Sequence, residues 1–103
     1  MSVRWMRTAT IKNGRFMEAI AWGKEVAGYV EKKWGAGKCD VWVDAFGAVG
    51  TIRWSIDFTD LASIDKVQGA MMADPDYWKM VEKAMKSELF VDGSAVDNVF
   101  RSV

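Results

Sequence analysis

Apolar and polar residues alternate from Val3 to Ile11, placing Val3, Trp5, Arg7, Ala9 and Ile11 on one face and Arg4, Met6, Thr8 and Thr10 on the other. A period of two predicts a strand. Asn13-Gly14 closes it, after which Phe16, Ile20, Gly23, Ala27, Val30 and Trp34 recur at steps of three and four, the stripe of a helix packed on a core. Gly35 and Gly37 stop that helix, because a glycine past the last turn takes the left-handed conformation freely. Alternation resumes over Lys38 to Phe46, with Cys39, Val41, Val43 and Ala45 opposite Asp40, Trp42, Asp44 and Phe46. Gly47-Ala48-Val49-Gly50 supplies a turn, and Thr51 to Phe58 alternates again, so these two strands are antiparallel neighbours.

Asp60 is placed to cap a helix with the stripe Leu61, Ile64, Val67 and Met71. Pro75 lacks an amide proton and disfavours helix at Asp74, so this helix is expected to end near Ala73. Asp74 then caps a fresh helix with Pro75 in its first turn and Trp78, Val81, Met85 and Leu89 at helical spacing. After Asp92-Gly93, Ser94 to Val103 reads as a fourth strand. The order is strand, helix, strand, strand, broken helix, strand. Short connections and right-handed crossovers turn this into an α+β, ferredoxin-like βαββαβ domain spanning residues 1–103. Its four-stranded antiparallel sheet carries the helices on one face, the second helix being broken near Asp74-Pro75.

With the most apolar rows against the helices, the other face of the sheet is left bare, carrying Met6, Trp42, Phe46, Arg53 and Phe100. Large aromatics mixed with charges suit a surface that pairs with its own copy, so a homodimer is expected. Six Trp and seven Met in 103 residues are rich in apolar surface for a single small domain, and either an interface or a ligand cavity accounts for them.

The strand order, the segment Trp54-Ser55-Ile56-Asp57-Phe58 running into Asp60-Leu61, the run Met72-Ala73-Asp74-Pro75-Asp76-Tyr77-Trp78 and the closing Val99-Phe100-Arg101-Ser102-Val103 resemble the dimeric α/β-barrel proteins. Within that superfamily the chain is most similar to NIPSNAP-like small bacterial proteins. The resemblance implies two sheets paired face to face in a barrel. It also implies a choice of activities, since the superfamily holds cofactor-independent monooxygenases of polycyclic aromatic substrates, haem-degrading enzymes, muconolactone isomerases, chlorite dismutases and proteins of unknown activity.

Composition narrows this choice. The chain has no histidine, which makes the histidine-ligated haem enzymes poor guides and leaves no His-based acid, base or metal site. Neither a cofactor nor a metal is expected. Lys plus Arg equals Asp plus Glu at 14 each, without the basic footprint of a nucleic-acid or anionic-lipid binder. The third strand also lacks the glycine-aromatic signature of RNA-binding sheets. No apolar run approaches the roughly 20 residues that span a bilayer, and no secretory signal opens the sequence, so a cytoplasmic location is expected.

What remains is a small apolar or aromatic molecule held between sheet and helices, with Trp5, Trp54, Tyr77 and Trp78 as lining and Arg7 fixing an anionic or carbonyl oxygen. Ordinary core packing explains the same aromatics. An ion pair with Asp97 on the last strand explains the same arginine. Asp40, Asp44 and Asp57 share the bare face, where pairing with Arg4 and Arg53 accounts for them, and Cys39 reads as a packed thiol. On these residues alone the chain is either a binder or cofactor-free oxygenase of such a molecule, or a homodimer whose apolar residues serve assembly only.

Overall fold

A computed structural model describes residues 2–47 and 49–103. The chain runs β1 (Val3–Thr10), α1 (Phe16–Trp34), β2 (Cys39–Val43), β3 (Thr51–Phe58), α2 (Leu61–Met72), α3 (Pro75–Lys86) and β4 (Val96–Arg101). The strands form one antiparallel sheet in the order β2-β3-β1-β4, the ferredoxin-like arrangement. β3 falls where its alternation puts it. β2 stops at Val43, short of the expected Phe46, and β4 is shorter at both ends than the expected 94–103. Ala48, in the turn expected between β2 and β3, lies outside the described residues.

The register confirms which row meets the helices. Val3, Ala9, Ile52, Trp54, Ile56 and Phe58 are buried beside Ala19, Val26, Ala27 and Val30 of α1. Gly23 lets α1 approach closely, since a Cβ there would stand 2.7 Å from Ile52 Cδ1. Phe16, placed on the inward stripe by spacing, is instead 40% exposed.

Both aspartate caps form. The Asp60 carboxylate accepts the Ser63 amide at 2.8 Å, and the Asp74 carboxylate accepts the amides of Asp76 and Tyr77 at 3.0 and 3.3 Å, with Pro75 opening α3. These bonds satisfy amides that a helix start otherwise leaves without partners. In α3 the buried positions are Tyr77 and Ala84; Trp78 and Met85, expected to face inward, are 42% and 71% exposed. The helix carries apolar residues on two adjoining faces, and only one of them meets the core.

On the opposite face of the sheet, Trp42 and Phe100 are half exposed, and Arg53 lies flat between the Asp44 carboxylate and Thr8 Oγ1. Arg4 pairs with Asp57 directly across the strands at 2.8 Å. The carboxylates of this face are thus compensated, Asp40 by Lys38 at 3.3 Å. Phe46 is 92% exposed and stands in the β2–β3 connection beyond the sheet, because β2 ends before reaching it.

Candidate ligand cleft

Two adjoining spaces lie between the sheet and the helices. The inner one is an apolar cavity of about 70 Å³ walled by Trp5, Ile56 and Phe58 of the sheet, Val26, Ala27 and Val30 of α1, and Ile64, Val67 and Met71 of α2. The outer one is a groove of about 510 Å³ between β1, α3 and the segment leading to β4. Arg7, Trp22, Trp54, Met71 and Tyr77 line both. These five side chains form the partition.

Aromatic contacts and hydrogen bonds fix the partition. Trp54 meets Trp22 edge-on at 6.0 Å and its Nε1 donates to the Gly23 carbonyl at 3.1 Å; Trp22 Nε1 donates to the Met80 carbonyl at 2.9 Å, tying α1 to α3. Tyr77 packs against Trp34 at 5.3 Å and is held at the start of α3 by the Asp74 cap. Asp74 itself accepts from Tyr29 Oη at 2.6 Å and Trp34 Nε1 at 3.2 Å. The hydrogen bond from Tyr29 is the largest influence holding the Asp74 carboxyl below its ordinary pKa, and the same bond pushes Tyr29 up to about 12.

Arg7 is the charged group shared by the cavity and the groove, whose outer wall also carries Asp92 and the Lys12–Glu88 pair at 3.2 Å. Its Nε and Nη2 donate to the two Asp97 oxygens at 2.7 and 2.9 Å, and its Nη1 donates to Tyr77 Oη at 3.2 Å. Its guanidinium carbon lies 5.3 Å from the centre of the Trp5 ring. Burial is the largest single influence and would weaken its hold on the proton, but the hydrogen bonds and charges of Asp97 and Tyr77 together outweigh it and the pKa rises. Trp5 differs from the other tryptophans. Trp22, Trp34, Trp42, Trp54 and Trp78 each donate from Nε1 to a named acceptor, whereas Trp5 Nε1 is buried with none among the described residues. Leaving a buried donor unpaired costs about 1–3 kcal/mol, which core packing by itself gives no reason to accept.

Of the residues expected to line a pocket, Trp5, Arg7, Trp54 and Tyr77 come together around the inner cavity. Trp78 does not reach it and stands at the rim of the groove with Met72 and Met85. Spacing put Met71 on the inward stripe of α2 without marking it as pocket lining, and it missed Trp22, which is next to Gly23 on α1, where that close approach was the available signal. Cys39 also lines the cavity, its thiol pushed up to about 12 by burial and then by Glu31 and Asp40. Among the described residues no group of His, Cys, Asp or Glu could hold a metal ion, and no helix is long and apolar enough to cross a membrane.

This is the fold of a small ferredoxin-like α/β protein with a broken second helix, and known structures share the fold. A NIPSNAP family protein from Agrobacterium tumefaciens superposes with a TM-score of 0.80 at 13% identity, over 100% of this chain and 94% of its own. A second protein from Agrobacterium tumefaciens gives 0.78 at 18% identity, over 98% and 93%. SnoaB, a cofactor-independent oxygenase from Streptomyces nogalater, gives 0.68 at 12% identity, over 98% and 92%. No family model and no curated protein matches the chain. The chain therefore has the NIPSNAP-like form of the ferredoxin-like fold.

Proposed function

We propose that this protein binds a small, largely apolar or aromatic molecule in the cleft, and that it does so as a homodimer paired through the bare sheet face. The observation that carries the reading is the apolar cavity and groove meeting at a partition where Arg7 and Tyr77 are hydrogen-bonded among Trp22, Trp54 and Met71. Apolar walls with a few convergent polar groups are the general character of small-molecule sites. The inner cavity is about half the roughly 150 Å³ that holds benzene in an engineered apolar core. The ligand body therefore lies in the groove and its apolar end enters past Met71, whose unbranched side chain moves at little cost.

The likeness to a cofactor-independent oxygenase supports the same cleft as a place for chemistry that the ligand supplies itself. In such a reaction the substrate is the electron donor, and the protein orients it and excludes water. The groups here suit that role. Arg7 is paired and the Cys39 thiol is held neutral, so the cleft's own residues position rather than react. The test is titration of naphthalene-sized aromatics with tryptophan fluorescence as the readout, repeated in Trp5→Phe and Met71→Phe. Saturable quenching that weakens when Met71→Phe fills the partition supports the reading; no saturable binding of any aromatic by the wild type overturns it and leaves assembly as the role of the apolar residues.

A further inference from the structure

We propose that Asp97 sets the charge preference of this cleft, making it a site for neutral molecules that present an oxygen acceptor and closing it to carboxylates; this rests on the ligand-binding reading above. A lone arginine among aromatics invites an anion. Here the guanidinium is already matched by a two-pronged carboxylate, with both bonds at 2.9 Å or less. Arg7 and Asp97 are direct cross-strand partners of β1 and β4, so the register of the sheet holds the pair together. A ligand carboxylate entering the groove meets this neutral pair, a second one in Lys12–Glu88 at 3.2 Å, and the like charge of Asp92, and gives up its hydration for no cation in return.

What the cleft does offer is a donor. Tyr77 Oη accepts from Arg7, and its own proton has no acceptor among the described residues. Trp5, in the wall of the inner cavity, has its Nε1 buried behind the ring's exposed edge, so Tyr77 is the donor a ligand meets. A phenol donor without an opposing acceptor selects a ketone, quinone or ester oxygen, and the chain of bonds Asp97–Arg7–Tyr77 polarises that donor. Asp97 acts on the ligand through Arg7 and is a positioning and specificity residue, not a catalytic one.

The experiment compares naphthalene, its methyl ketone and its carboxylate as ligands of the wild type, Asp97→Asn, Asp97→Ser and Asp97→Glu, by calorimetry. The wild type is expected to bind the ketone most tightly and the carboxylate most weakly. Asp97→Asn and Asp97→Ser expose the charge of Arg7 and are expected to tighten the carboxylate by roughly tenfold or more relative to the ketone, while Asp97→Glu keeps the wild-type order. Asp97 is a third exposed on an edge strand, so these variants retain the fold, which circular dichroism checks. If the wild type already binds carboxylate as well as ketone, or if removing the Asp97 charge leaves their ratio unchanged, the proposal is overturned while the cleft remains a binding site. If none of the three binds, the ligand-binding reading itself falls, and this proposal with it.

Discussion

The Tyr29 hydroxyl, on α1, donates a 2.6 Å hydrogen bond to the Asp74 carboxylate that caps α3, and so fastens the break in the second helix to the first. With Trp34 on the same oxygen and two α3 amides on the other, this carboxylate has four donors. Removing it in Asp74→Ala strands all four and is expected to lower the melting temperature by roughly 5–10 °C at neutral pH. Since the folded-state pKa of Asp74 is depressed, its contribution is complete above the ordinary carboxylate pKa of about 4 and is lost as pH falls through the folded value. Tyr29 works at the other end of the scale. Its pKa is raised, so its share is complete below about 10 and is lost as pH rises through about 12. Alkaline titration followed by tyrosinate absorbance should show a component near 12 that Tyr29→Phe abolishes.

Gly23 and Gly28 lie on the same helix and predict opposite outcomes. An alanine at 23 puts its Cβ 2.7 Å from Ile52 Cδ1 and 3.3 Å from Trp54 Cζ2, so the end of Ile52, which is fully buried, must shift within the core. The overpacking cost of about 1–3 kcal/mol exceeds the helix-propensity gain of about 1 kcal/mol. Gly23→Ala should therefore destabilise. At Gly28 an added Cβ meets nothing within 4 Å, and Gly28→Ala should stabilise by about 0.5–1 kcal/mol. Urea denaturation of the two variants measures both, and equal shifts would show that the close approach at Gly23 is absent.

How much of this was legible from residues alone differs by element. The bounds of β3, both aspartate caps and the proline break follow from period and local chemistry, which act over a few residues. The ion pair of Arg7 and Asp97 was also readable, because strand order puts them opposite each other. The inward face of α3 was not. Tyr77, Trp78, Val81, Ala84 and Met85 offer two apolar stripes a step apart, and only the groove between α3 and β1 decides that Trp78 and Met85 stay on the rim. Nor does any spacing give the volume of a cavity, which is what remains after side chains from β1, β3, α1 and α2 have packed. The unpaired Trp5 Nε1 is of the same kind: it emerges only once the acceptors of all the other indoles are placed.

Cys39 makes a prediction from its wall position. Burial, followed by the negative charges of Glu31 and Asp40, pushes its thiol up to about 12, and its amide is tied to Glu31 at 2.7 Å. At pH 8 the thiolate is on the order of one part in ten thousand, against roughly a quarter for a free cysteine. Reaction with an aromatic disulfide reagent should be slow in the folded protein and fast in denaturant. The raised pKa also means that the neutral thiol contributes stability below its unfolded value of about 8.5 and loses it as pH rises through about 12. Rapid labelling at pH 8 without denaturant would show that the cavity wall opens at Cys39.

The sheet face supplies the last prediction. Trp42 is anchored by a 2.8 Å bond from its Nε1 to Ser55 Oγ, which lays the indole over the sheet while half of it stays exposed, and Arg53 is held flat beside it by Asp44 and Thr8. With Phe100 half exposed on β4, the face presents rigid aromatics whose polar ends are already satisfied, so covering them with a second copy removes apolar surface from water without stranding a donor. Charge at those two points opposes such pairing more than it harms the chain, because neither side chain belongs to the core between sheet and helices. Light scattering at micromolar concentration should give a mass of two chains for the wild type and one for the double variant Trp42→Glu, Phe100→Asp, with circular dichroism unchanged. A wild type of single-chain mass would refute the dimer, and a double variant that still pairs would move the contact to another face.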